Sequence, residues 1–192
     1  MLHVKVNKRA PRVLDFDIEC LAAGYADPAW VPDKITVVSW SWVGESDIRT
    51  VVTGKDGFFS RRLRGERLAP FREALRHADR VTGHNIVRFD LPVLQAEFLR
   101  CGIEPLGAIE THDTIRFTRT KGFKKSQDDM SVWLESPLKK KTLSWTEWDN
   151  AYEEEGWPVA IERCESDVRQ HKLLYQRMLE LNILKPVRMW RP

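Results

Sequence analysis

The chain has 192 residues, of which 42% are hydrophobic and 31% charged, and its net charge is +3. This length suffices for one domain with a good core, so we expect a single domain over residues 1–192. Three scattered cysteines without a CxxC pair argue against a disulfide framework and a structural zinc site. No apolar run approaches about 18 residues, and the N-terminus lacks the apolar segment of a signal peptide. These features predict a cytoplasmic protein that does not associate with membranes.

The first third of the chain predicts strands, and the rest predicts helices and strands in alternation. The strand segments are 12–20, 34–44, 48–54, 79–83 and 108–113. The helical segments are 68–78, 91–101, about 142–154 and 158–184. A short polar turn between the second and third strands predicts an antiparallel hairpin. The later alternation predicts parallel strands covered by helices, and therefore an α/β fold.

The stretch VLDFDIEC, residues 13–20, combines an apolar strand with acids at every second position. Side chains alternate between the two faces of a strand, so Asp15, Asp17 and Glu19 share one face and the apolar residues share the other. A buried carboxylate requires a partner or a metal, because desolvating it alone costs several kcal/mol. The strand therefore predicts cations, or further ligands, from other parts of the chain.

Two later stretches supply further carboxylates. GHNIVRFDLPVL places Asp90 at the start of a helix, and ERCESDVRQHKLLY places Asp167 on the last helix. Together with Asp17 and Glu19 of the first strand they give four carboxylates on three elements. Ligand sets made only of oxygen select hard divalent ions such as Mg²⁺ or Mn²⁺. Two such ions about 3.5–4 Å apart can activate a water and stabilise the leaving oxygen of a phosphoryl displacement.

These stretches resemble the DEDD 3′–5′ exonuclease superfamily. FDIEC resembles its first motif, HNIVRFD its second and CESDV the core of its third, and the resemblance spans residues 12 to about 180. It implies a ribonuclease H-like α/β fold, with a mixed sheet of antiparallel N-terminal strands followed by parallel strands, flanked by helices. It also implies that Asp17, Glu19, Asp90 and Asp167 are catalytic and hold two divalent cations, Mg²⁺ or Mn²⁺.

The resemblance further implies that Asn85 and Phe89 bind substrate by shaping the site of the terminal nucleotide. His84 flanks the same motif and is a candidate substrate contact. A histidine satisfied by backbone or solvent is an equally good interpretation of His84.

The third motif departs from the family pattern. The two main branches carry a Tyr four residues, or a His five residues, before the motif's Asp, and this chain has Arg163 and Glu162 there. A guanidinium stays protonated and cannot act as a general base, but Arg163 could bind a substrate phosphate. His171, one turn after Asp167 on the same helix face, is a candidate for positioning the attacking water. The alternative for His171 is again a structural histidine, and Asp15 could support the site or lie at a solvated strand edge.

Two basic regions are candidate contacts for a nucleic-acid backbone. Cations neutralise phosphates and aromatic rings stack on bases, whereas most charge runs are simply solvated loops. The first region covers 116–141 and includes Phe117, Phe123 and Trp133. The second, weaker region consists of Arg61, Arg62 and Arg64.

The sequence thus predicts a metal-dependent 3′–5′ exonuclease that hydrolyses phosphodiester bonds of single-stranded DNA or RNA, with replication or repair proteins as candidate partners. The alternative is a catalytically weak or inactive nuclease-like module that binds nucleic acid or such a partner. The altered third motif favours this alternative, whereas the retention of all four carboxylates opposes it. An endonuclease on the same fold is a third hypothesis.

Overall fold

The computed structural model describes residues 9–21, 34–53, 61–117, 126–136, 138, 143–144, 147, 151 and 157–192. This part of the chain contains six strands and four helices. The strands are β1 (Val13–Leu21), β2 (Lys34–Trp42), β3 (Arg49–Val52), β4 (Arg80–Gly83), β5 (Ile109–Asp113) and β6 (Arg188–Trp190). The helices are α1 (Arg61–Arg76), α2 (Asp90–Cys101), α3 (Gln127–Trp133) and α4 (Pro158–Glu180).

The strands form one mixed sheet in the order β3-β2-β1-β4-β5-β6. The N-terminal strands β1, β2 and β3 pair antiparallel, and β4 pairs parallel with both β1 and β5. This arrangement, flanked by helices, confirms the predicted ribonuclease H-like α/β fold. The edge strand β6 pairs antiparallel with β5 and was not predicted, because three residues are too few to show an alternating pattern.

The two faces of β1 have different environments, as the alternation of its side chains predicts. Leu14, Phe16 and Ile18 are buried in the main core together with apolar residues of α1 and α2. Burying each such side chain contributes roughly 1.5–3 kcal/mol to folding. The opposite face packs against α4, where the Cys164 thiol donates to the backbone oxygen of Asp17 at 3.4 Å. The main core therefore fixes β1, while the acidic face of β1 meets the last helix.

The helices differ from prediction in two places. Helix α1 begins at Arg61, seven residues before the predicted start at position 68, and the predicted helix at 142–154 lies mostly outside the described residues. Helix α3 lies in a segment that was predicted only as polar and basic. Its N-terminus is capped by Ser126, whose side chain accepts a hydrogen bond from the Asp129 backbone N–H at 3.1 Å.

Parts of the two predicted basic regions have structural roles instead. Arg64 is 6% exposed, and its Nε donates to Glu97 at 2.7 Å, so Arg64 does not offer its charge to a ligand. Phe117 is buried in a small cluster with Met130 and Leu174, so its ring cannot stack on a base. Phe123 lies outside the described residues.

In the described part of the chain, no helix combines the length and the apolar character needed to cross a membrane.

Candidate metal centre

Three of the four predicted metal ligands lie together, and we call them the carboxylate cluster: Asp17 and Glu19 on β1, and Asp167 on α4. One carboxylate oxygen from each lies within 4.8 Å of the other two. Asp167 is buried, whereas Asp17 and Glu19 are half-buried and accessible to small ions. At about 5 Å and an effective dielectric of about 20, two carboxylates repel each other by roughly 3 kcal/mol. The cluster therefore offers oxygen ligands, which hard divalent cations prefer, and such a cation would relieve the repulsion between the carboxylates.

Asp90, the fourth predicted ligand, is the first residue of α2 and is 3% exposed. Burial raises the pKa of its carboxyl to about 7, and the charges of Asp113 and Glu19 act in the same direction. Hydrogen bonds from the backbone N–H groups of Asp90 and Ile18 partly oppose the rise. Asp90 thus lies near Glu19, but it is not among the three closely grouped carboxylates, and its role as a ligand stays a prediction.

The turn after β4 carries the second motif, and its backbone explains why this sequence forms it. At Gly83 an added Cβ would lie 2.3 Å from the Ile86 side chain and 2.9 Å from the Phe16 carbonyl oxygen, so only glycine fits. Asn85 has a φ of 68°, in the left-handed region that asparagine tolerates better than most residues. The close approach of this turn to β1 places Asp90 beside the carboxylate cluster.

Asp113, at the end of β5, holds this turn in place and was missed by the sequence analysis. Its carboxylate accepts hydrogen bonds from the backbone N–H groups of Asn85 at 2.7 Å, Val87 at 3.1 Å and Ile115 at 3.2 Å. The sequence does contain a pattern that predicts this role for Asp113. The residue ends a predicted strand, and that strand is expected to be parallel to the strand that precedes the second motif. The ends of parallel strands meet at one edge of a sheet, where Asp113 can reach the turn.

The predicted substrate residues of the second motif lie in the same turn. Asn85 is half-buried, and Phe89 is 40% exposed immediately before Asp90. An exposed ring next to the carboxylates is available for stacking on a base. The roles of both residues in substrate binding stay predictions.

Arg163, four residues before Asp167 on α4, lies among the acids. Its guanidinium is buried and forms an ion pair with Asp167, one turn along α4. Burial alone would lower its pKa, but the hydrogen bond and charge of Asp167 and the charges of Glu19 and Asp17 raise the pKa above its ordinary value. Arg163 therefore remains a cation, and its observed partner is a carboxylate of the cluster.

His171 belongs to a buried chain of hydrogen bonds next to the carboxylate cluster. Its Nδ1 lies 2.8 Å from the carboxylate of Asp15, and its Nε2 lies 3.0 Å from the Thr114 hydroxyl. The same hydroxyl lies 3.0 Å from Nδ1 of His84. The chain joins β1, α4 and the second-motif turn, which favours structural roles for His171 and His84. Water positioning by His171 and substrate contact by His84 stay predictions.

Asp15 is fully buried, so it does not lie at a solvated strand edge. Burial raises the pKa of its carboxyl, and the neighbouring His171 opposes that rise. Asp15 thus has His171 as its partner, the residue whose sequence position predicts a role in positioning water.

No protein-family model matches the chain, and no curated protein matches it in sequence. Among solved structures, the chain is similar to the family B DNA polymerase from the hyperthermophilic archaeon Pyrobaculum calidifontis, with a TM-score of 0.63 and 18% sequence identity. The similarity covers 88% of this chain and 25% of that polymerase, so the chain spans about a quarter of the polymerase's length. At 18% identity, this similarity shows a shared fold.

Proposed function

We propose that the protein is a metal-dependent 3′–5′ exonuclease that hydrolyses phosphodiester bonds of single-stranded nucleic acid. The observation that carries this proposal is the carboxylate cluster, whose three acids lie within 4.8 Å of one another and come from the first and third motifs. The resemblance of those motifs to the DEDD exonucleases supports the same activity. The fold shared with a DNA polymerase supports nucleic acid as the ligand.

The proposed cofactors are two Mg²⁺ or Mn²⁺ ions, held by the carboxylate cluster and Asp90. When bound, such ions supply an activated water and stabilise charge on the leaving oxygen. The chain itself holds the carboxylates in place. Asp17 and Glu19 lie on β1, and Asp90 and Asp167 lie on helices α2 and α4. Rigid positioning of this kind accounts for a large part of the acceleration in reactions that need in-line geometry.

For the substrate, we assign the terminal nucleotide to the second-motif turn. The exposed Phe89 ring would stack on the terminal base, and the Asn85 amide would hydrogen-bond the nucleotide. Arg163 would bind a substrate phosphate that displaces Asp167 as the partner of its guanidinium. His84 directly precedes Asn85 and would contact the same nucleotide.

A second candidate function is a nucleic-acid-binding module with weak or no catalysis. The ion pair between Arg163 and Asp167 favours it, because a permanent cation beside a proposed ligand repels a divalent ion. Both functions predict that the protein binds nucleic acid. Only the exonuclease also cleaves phosphodiester bonds.

The deciding experiment incubates the protein with 5′-labelled single-stranded DNA or RNA, with Mn²⁺ or with EDTA. The exonuclease predicts a ladder of labelled products that shortens progressively from the 3′ end, only with Mn²⁺. Asp17→Asn should abolish the ladder. Glu165→Gln is the control, because Glu165 lies on α4, the helix that carries Asp167, but accepts a hydrogen bond from the Thr50 hydroxyl at 2.9 Å. Binding without cleavage by the wild type would favour the second candidate, and internal cleavage would indicate an endonuclease.

A further inference from the structure

A polar cavity adjoins the second-motif turn at the end of β5. Its volume is about 490 Å³, which is within the range of small-molecule and cofactor sites. It is lined by the turn, by the residues that follow β5 and by the segment that leads into β6. Asn85 and Asp113 belong to its lining, so the cavity begins where the proposed site of the terminal nucleotide ends.

The lining of this cavity is strongly basic. Four cationic residues line it: Arg88, Arg116, Lys185 and Arg188. Within the part of the chain that the structure describes, none of the four forms an ion pair with a carboxylate. The acid in the lining is Asp113, which is 4% exposed and whose carboxylate already accepts hydrogen bonds from three backbone N–H groups. The cavity therefore presents positive charge to solvent.

The backbone fixes the positions of three of these cations. The Lys185 backbone N–H donates to the Arg116 carbonyl oxygen at 3.1 Å. His112 Nε2 lies 3.0 Å from the Lys185 carbonyl oxygen, and the Thr111 hydroxyl donates to the Arg188 carbonyl oxygen at 2.9 Å. The cations thus come from chain segments that are hydrogen-bonded to one another. Lys185 and Arg188 are exposed, and Arg116 is half-buried.

We propose that this cavity binds backbone phosphates of the nucleic-acid strand, at nucleotides other than the one being cleaved. Arginine and lysine are the side chains that proteins use to hold phosphate groups, and each neutralised phosphate releases counterions. The inference rests on the proposed function for the choice of a nucleic-acid strand as the source of those phosphates. Through Asn85 the cavity is continuous with the second-motif turn, so one strand can occupy both.

The test measures binding of 5′-labelled single-stranded DNA and RNA by fluorescence anisotropy, in EDTA and over a range of salt concentrations. The double variant Lys185→Gln/Arg188→Gln changes two exposed side chains, so it should fold. For single strands the slope of log K against log salt is about −0.7 per neutralised phosphate, so the variant should lose up to roughly 1.4 of the wild-type slope. At low salt it should bind about tenfold more weakly. The control is Arg76→Gln/Arg177→Gln, two exposed cations outside the cavity, which should leave slope and affinity unchanged.

The cleavage assay on the same proteins separates this inference from the exonuclease proposal. If the wild type cleaves the strand and the cavity variant binds it with unchanged affinity and slope, the cavity proposal is overturned and the exonuclease stands. If the wild type does not cleave but the variant binds more weakly as expected, the cavity proposal stands and the exonuclease fails. No binding by the wild type would overturn both.

Inorganic phosphate serves as a separate probe. A phosphate-induced rise in melting temperature that disappears in the cavity variant, while strand binding is unchanged, would assign the cavity to free phosphate. That result would overturn the strand proposal.

Discussion

The acidic face of β1 has two ends whose carboxylates differ in their surroundings. At one end Asp15 is fully buried beside His171, inside a chain of hydrogen bonds that continues through Thr114. At the other end the carboxylate cluster brings three acids within 4.8 Å of one another and remains partly accessible. The acid Asp17, two residues from Asp15 on the same face, thus belongs to a different kind of site.

Burial with a hydrogen-bonding partner distinguishes a structural acid from a candidate ligand on the same strand. Asp15 is matched by a hydrogen-bonding partner in a closed space, so it contributes to the fold. The carboxylate cluster contains more negative charge than its contact with Arg163 can balance, so it retains affinity for further cations. Substitutions at Asp15, and at Asp90 and Arg163 beside the carboxylate cluster, change the surroundings of one end at a time.

The largest effect should come from Asp15→Ala. Removing this carboxylate leaves the polar ring of His171 buried without its partner, and breaking a buried pair in this way costs about 3 kcal/mol or more. Urea unfolding in EDTA measures the change. Asp17→Ala is the matched control on the same face, and it should change the free energy of unfolding little, because it also relieves repulsion within the cluster. Equal losses in the two variants would erase the distinction between the two ends.

Asp90 should give the metal-depleted protein a pH dependence. Burial raises its pKa in the folded state to about 7 from an ordinary value of 3.8, so between these values the folded protein binds more protons than the unfolded chain. Stability is therefore greater at low pH within this window and falls as the pH rises through about 7. From about pH 5.5 to about pH 8 the loss should be on the order of 2 kcal/mol.

Asp90→Asn should remove this part of the pH dependence, because the amide does not titrate. Melting temperatures of both proteins in EDTA across the pH range test it. The buried Asp15 is present in both proteins, so the difference between their curves isolates Asp90. Parallel curves would mean that Asp90 has an ordinary pKa.

The smallest effect concerns Arg163. Replacing it by Met removes the cation that repels an incoming divalent ion, so Mn²⁺ should bind about tenfold more tightly, equivalent to about 1.4 kcal/mol. Arg163→Lys should bind Mn²⁺ like the wild type, because it retains the charge. Arg169→Met removes an exposed cation that pairs with Glu165, and it serves as the control on the same helix. If Arg163→Met and the wild type have the same affinity for Mn²⁺, Arg163 has no electrostatic influence on the metal centre.

Much of this arrangement is predictable from sequence because it depends on local patterns. The alternation of acids in β1 predicts that Asp17 and Glu19 share a face, and the structure confirms it by placing both in the carboxylate cluster. The turn after the second strand predicts an antiparallel hairpin, and the later alternation of strands and helices predicts parallel pairing; the structure confirms both. These features follow from the geometry of single elements and from the order in which they occur.

Other features depend on contacts between distant parts of the chain, and sequence patterns do not specify them. The pairing of Asp15 with His171 joins residues 156 positions apart, and the hydrogen bond from Arg64 to Glu97 joins residues 33 apart. Asp113 supports the second-motif turn through backbone N–H groups, which every residue type except proline provides. A single sequence shows which residues are charged, but not which of them form pairs in the folded protein.

We propose that the open end of the β1 face is a metal site and the buried end is not. Isothermal titration calorimetry of Mn²⁺ with the wild type, Asp17→Asn and Asp15→Asn distinguishes the two ends. Both substitutions remove one carboxylate charge from the same strand face and preserve the shape of the side chain. We predict that Asp15→Asn binds Mn²⁺ nearly as tightly as the wild type, whereas Asp17→Asn binds at least tenfold more weakly. The absence of Mn²⁺ binding by the wild type, or equal binding by wild type and Asp17→Asn, would contradict the claim.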